Sequence, residues 1–159
     1  MSDTLISLED AEAYLPGLKQ SYEERMPFNR ELGIQVQTLT LDLVEIRVDM
    51  RDELVGNCHR RMLHGGAIAA IMDTTGGLVA SSGLLKACIG HPKTKAGERF
   101  KRISTIDLRI DYLRPGRGDY FIASGTVLRT GSKIAVTRME LNSNAGELVA
   151  VATGTYLVG

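Results

Sequence analysis

The residues best placed by type and spacing to do chemistry are His64, Gly65, Gly66 and Asp73, all within one apolar stretch. Two adjacent glycines at the start of a helix are a poor choice for helix stability, because glycine costs about 1 kcal/mol against alanine inside a helix. They are a good choice if a ligand must approach the backbone closely. The first N–H groups of a helix have no partner in the helix and carry positive partial charge. A thioester carbonyl placed there would be polarised, and the oxyanion formed on attack would be held. Gly65 is therefore the candidate oxyanion donor, with Gly66 in support. Asp73 is the candidate nucleophile or general base, since a carboxylate in so apolar a helix needs a reason to be there. The plainer reading is that Asp73 accepts hydrogen bonds from Thr74, Thr75 or a neighbouring strand.

Gly65 and Asp73 are eight residues apart. In one helix that is roughly 12 Å along the axis. A single reacting carbon cannot touch both. If both act on one thioester, they come from different subunits, as two antiparallel helices related by a two-fold axis would allow.

The elements that must position these residues follow from the hydrophobic pattern. Ser7 and Asp10 mark a helix start, and the helix is expected to run over 7–26, stopping before Pro27 and breaking or kinking at Pro16 and Gly17. The period changes from Leu32. Leu41, Leu43 and Glu45 then alternate with Asp42, Val44, Ile46 and Val48, which predicts a strand with one buried face. A polar loop is expected over 51–62, an apolar helix over 64–84 and a basic irregular segment over 86–102. Strands are predicted over 103–113, 120–128, 134–142 and 148–158, joined by turn chemistry at 114–118, 129–133 and 143–146. The order is thus helix, two strands, one very apolar helix and four strands. A helix apolar nearly all round needs cover on every side. An antiparallel meander has one face to bury. The economical α+β solution is a curved antiparallel sheet wrapped around the central helix, the hotdog architecture, with an extra N-terminal helix and one domain over 1–159.

Bulk properties exclude several classes. The chain has 159 residues and zero formal net charge, so no global field attracts nucleic acid or an anionic membrane. Cys58 and Cys88 are its two cysteines, read as reduced thiols of a cytoplasmic protein. The acidic, amphipathic start is unlike a secretory signal. The run from 67 to 85 is long enough to suggest a membrane span, but Asp73 and its glycines and hydroxyls favour a buried helix.

At these residues the sequence resembles the PaaI-like hotdog acyl-CoA thioesterases, and within them the YigI-type proteins of proteobacteria. The resemblance covers nearly the whole chain, through MPFNR at 26–30, VGN at 55–57, LHGG at 63–66, TIDLRIDYLRPGRG at 105–118 and ATGTYLVG at 152–159. It implies an oxyanion amide at Gly65, a nucleophile or base at Asp73, a polar positioning residue at Asn57 and a Ser/Thr position at Thr105. It also implies hydrolysis of medium- to long-chain acyl-CoA in fatty acid metabolism, without metal or cofactor, by a homodimer or a dimer of dimers. This sequence departs from the better-known members by an extra residue between Asn57 and His64 and by a longer segment over 86–102.

Other residues carry two readings. His64 is either a base, as in dehydratases of this fold, or a residue that fixes the turn by bonding to backbone. Thr105 suits a strand whatever its chemistry. Arg114, Arg117 and Lys133 are either solvated turn residues or ligands of the CoA phosphates, with Gly131 and Ser132 offering backbone amides beside Lys133. The segment over 86–102 has six cations, Lys86, Lys93, Lys95, Arg99, Lys101 and Arg102, against one anion, Glu98. It serves the 3′-phosphate or merely keeps a loop soluble. An acyl-thioester hydratase or dehydratase, using His64 with Asp73, is the alternative enzyme. A non-catalytic acyl-CoA sensor is the alternative outside catalysis, and Asp73 argues against it.

Overall fold

Helix α4 spans Gly65–Ala87, the single apolar helix expected at the centre. In the computed structural model, which describes residues 4–93 and 99–159, it lies against one six-stranded antiparallel sheet. The strands are β1 (Gln35–Leu39), β2 (Val44–Asp49), β5 (Ser104–Tyr112), β6 (Tyr120–Thr130), β7 (Ile134–Ser143) and β8 (Leu148–Leu157). Their order is β1-β2-β6-β7-β8-β5. Alternation along the strands decides which side faces the helix. Val44, Ile46 and Val48 of β2, Phe121 and Ala123 of β6, and Met139 and Leu141 of β7 are buried together with Ile71, Met72, Leu78 and Val79 of α4. The buried face of β2 is thus the valine and isoleucine set, while Leu43 is exposed. The central helix is long and apolar enough to cross a membrane, yet 78% of its most apolar window is buried inside the fold. It is a core helix.

The N-terminal segment departs from the single helix expected over 7–26. It contains α1 (Leu8–Ala13), α2 (Leu15–Gln20), a π-helical turn (Ser21–Arg25) and α3 (Pro27–Leu32). Both prolines sit in the first turn of a helix, where the missing N–H is no loss. The expected stop before Pro27 is present, since the turn ends at Arg25 and Met26 is extended, and each proline then opens the next helix, α2 or α3. Gly33, with φ 71, closes α3 in the left-handed conformation that glycine tolerates. Ser7 and Asp10 do form a reciprocal cap: Ser7 Oγ accepts from the Asp10 N–H and Asp10 Oδ2 from the Ser7 N–H, both at 3.0 Å.

The segment over 51–62 is not wholly loop. It holds a 3-10 turn (Asp52–Leu54) and a short hairpin of β3 (Val55–Asn57) and β4 (Met62–Leu63) that delivers the chain into α4. Of the basic segment, Lys86 belongs to α4, and Lys95 lies outside the described residues. Lys86 pairs with Asp42, and Lys93 pairs with Asp10 at 2.8 Å. Arg99 donates to the carbonyls of Val158 and Ser132, each at 3.0 Å. Lys86, Lys93 and Arg99 therefore already have intramolecular partners.

Candidate active site

The start of α4 is built by its own side chains. His64 is the N-cap, and its Nδ1 accepts the Gly66 N–H at 2.8 Å. A neutral imidazole that accepts through Nδ1 carries its proton on Nε2. That bond engages the Gly66 amide, so Gly66 does not offer the second oxyanion donor expected of it. The Gly65 N–H meets no acceptor among the described residues. Tyr112 at the end of β5 donates to the Gly65 carbonyl at 3.1 Å and braces this turn. Gly65, Tyr112 and Arg114 line one pocket of about 390 Å³, with Ile68, Leu113 and Pro115 as apolar walls.

Two turns further along α4 lies a different environment. Asp73 is half-buried. Its Oδ1 accepts from Thr105 Oγ1 at 2.9 Å and from the Tyr156 hydroxyl at 3.2 Å. Oδ2 has no hydrogen-bond partner among the described residues. The carboxylate lines a cleft of about 230 Å³ whose walls include Met26, Phe28, Ala70 and Ile103. Asn29, buried, stands beside it: its Nδ2 donates to the Tyr22 carbonyl at 3.0 Å, and its Oδ1 accepts from Thr74 Oγ1 at 3.2 Å. Tyr22 bonds to Ser81 below, and burial pushes its hydroxyl pKa up.

The structure thus brings Asp73 and Thr105 together, and separately gathers His64, Gly65, Gly66 and Arg114. It does not bring these two groups to one point within a chain. Asn57 belongs to neither: its Oδ1 accepts the Arg60 N–H at 3.1 Å and closes the β3–β4 turn. The two candidate phosphate turns are also apart. Arg114 and Arg117 precede β6, whereas Gly131, Ser132 and Lys133 follow it. An extended strand of that length puts them about 30 Å apart. The strand register sets the second turn near Asp73's end, since Ile134 and Ser104 both pair with Leu157. Side-chain contacts missed from sequence are those of Tyr156, Tyr112 and Asn29. All three sit in segments whose resemblance was visible, but nothing in their spacing announced a contact with α4.

The architecture defines a hotdog protein with an acidic residue on its central helix. The model of the thioesterase superfamily matches residues 61–150. A crystal structure of a Shewanella oneidensis protein related to that superfamily is 38% identical, with a TM-score of 0.89, over 94% of this chain and 97% of that one. The Escherichia coli medium/long-chain acyl-CoA thioesterase YigI is 38% identical over 149 residues, 94% of this chain and 96% of that protein. The chain belongs to the thioesterase superfamily and is a thioester hydrolase.

Proposed function

We propose that this hydrolase cleaves medium- to long-chain acyl-CoA to free fatty acid and CoA, in the cytoplasm, as a homodimer or a dimer of dimers. The observation that carries this reading is the Asp73 carboxylate, with Oδ1 fixed by two donors and Oδ2 open at a cleft walled in part by Met26, Phe28, Ala70 and Ile103. The thioester carbonyl oxygen sits on the Gly65 N–H of the other subunit. Asp73 Oδ2 either takes a proton from the attacking water or attacks the carbonyl itself. The C–S bond breaks and the thiolate leaves; on the first route it takes the proton held by Asp73, and on the second a water then hydrolyses the acyl–Asp73 anhydride, releasing the fatty acid and supplying the thiolate's proton. The Nδ1 bond to Gly66 gives His64 the role of holding the helix start. The edge position of β5, with Ile106 and Tyr112 exposed, supports association of a second copy along this strand. An antiparallel pairing sets the Lys133 turn of one copy beside the Arg114 turn of the other, so both serve the nucleotide end of one CoA.

The test is a thiol-release assay from acetyl-CoA to palmitoyl-CoA. Each buried methylene is worth about 0.8 kcal/mol, hence about a fourfold fall in KM per added carbon until the cleft is filled. Flat KM across the series would reject the alkyl-cleft reading. Formation of 3-hydroxyacyl-CoA from a 2-enoyl-CoA without thiol release would instead make the protein a hydratase.

A further inference from the structure

The hydroxyl of Tyr156 is the least accounted for polar group near Asp73. Its residue is 1% exposed, and its ring lies in the core between β8 and α4. Among the described residues its hydrogen bonds both go to Asp73, to Oδ1 and to the backbone carbonyl, each at 3.2 Å. Two glycines make the room. A Cβ on Gly76 would stand 2.1 Å from the hydroxyl, and one on Gly154 would stand 2.5 Å from the ring. Two backbone positions on different elements are thus kept bare where one phenol reaches one carboxylate. A tyrosine placed only for packing would need no such opening at its polar tip.

We propose that Tyr156 is a positioning residue for the hydrolysis, holding the Asp73 carboxylate so that Oδ2 faces the cleft. The inference rests on the thioesterase reading above. Thr105 and Tyr156 grip the same oxygen from β5 and β8, which fixes the plane of the carboxylate. With Oδ1 doubly bonded, Oδ2 is the oxygen left to meet water or substrate. Among the described residues lining the cleft, the titratable groups are Asp73, Tyr22 and Tyr156. None is a cation, so the hydrogen bonds are the main local support for the ionised acid. Burial, and next the Asp73 charge, raise the Tyr156 pKa well above that of a free phenol. The phenol therefore stays a neutral donor through the working pH range.

Tyr156→Phe removes one oxygen and leaves the ring in place. With thiol release by the unaltered enzyme already measured, the variant is expected to keep KM within about twofold. Its kcat should fall about tenfold to a hundredfold, the scale of a misplaced reacting group. The acid limb of its kcat–pH profile should move to higher pH, because a hydrogen bond to the charged form of the base has gone. Folded Tyr156→Phe with unchanged kcat and an unchanged acid limb would overturn the proposal. Inactivity of the unaltered enzyme towards every acyl-CoA would instead count against the thioesterase reading. If Tyr156→Phe fails to fold, 3-fluorotyrosine at position 156 keeps the hydroxyl and strengthens it as a donor. It should move the acid limb to lower pH, and no movement would likewise overturn the proposal.

Discussion

The two functional regions of α4 are opposites in construction. Its first turn is exposed, made of glycines, and offers a backbone N–H that no described residue accepts. Its middle is packed, and offers a side chain gripped by hydroxyls from two strands. The difference follows from what each must do. A backbone donor has its direction fixed by the helix itself and needs only to be left uncovered. A carboxylate rotates about two bonds, so neighbours must fix it. The roughly 12 Å between them along one helix means that neither region is a complete site.

The largest expected effect separates the regions by chemistry. Asp73→Asn keeps the shape and both hydroxyl partners but cannot take a proton. Its kcat should fall by at least about a hundredfold, measured by thiol release at saturating acyl-CoA. Near-normal turnover would remove Asp73 from the reaction. Next, Gly65→Pro deletes the one amide and little else. Proline is at home in the first position of a helix, and His64 already has the extended backbone that precedes proline well. The loss of an oxyanion donor should lower kcat about a hundredfold to a thousandfold. Mixing this variant with Asp73→Asn should restore up to roughly a quarter of normal activity, since half the dimers are mixed and each has one intact composite site. Mixed dimers without activity would show that the two regions do not serve one substrate.

A smaller effect concerns the two phosphate turns. Arg114→Ala, Arg117→Ala and Lys133→Ala should each raise KM for acyl-CoA a few-fold, with little change in kcat, because contacts to the phosphates and not to the reacting atoms act on ground and transition states alike. The effect should shrink as salt rises and vanish for acyl-pantetheine, which lacks the nucleotide. Similar damage with acyl-pantetheine would make these residues structural. Arg114 has such a role available, as its guanidinium donates to the Leu148 carbonyl at 3.0 Å. The smallest effect is at the cap. His64→Asn replaces one N-cap acceptor by another and should leave kcat within a few-fold, whereas His64→Ala should lose about 1 kcal/mol of stability in a denaturant titration. A hundredfold loss of kcat in His64→Asn would make the imidazole a catalytic group.

The sequence by itself determined the layout. The apolar run after His64 had to be a covered central helix, and the period-two runs downstream had to be strands of one sheet around it. That a strand with one buried face passes through 41–48 is legible because hydrophobic burial is written in local periodicity, while the choice of Val44, Ile46 and Val48 as that face came from packing. Asp73 and Gly65 stood out for the same local reason, each being a poor choice for its own stretch of helix. Local rules placed the breaks at Pro16 and before Pro27, but not the helices that these two prolines open.

Only the tertiary structure decided which groups meet. Tyr156 reaches Asp73 across 83 residues of chain, and Thr105 across 32. Such contacts depend on strand order and register, which no local period encodes. The same physics separated the Arg114 and Lys133 turns, which look alike in sequence but lie at opposite ends of β6. It also engaged the Gly66 amide with His64, a hydrogen bond fixed by side-chain geometry at the cap. Residue type and spacing revealed which groups were out of place for the helix alone. The sheet determined which partners make sense of them, because only packing brings distant strands within hydrogen-bonding distance.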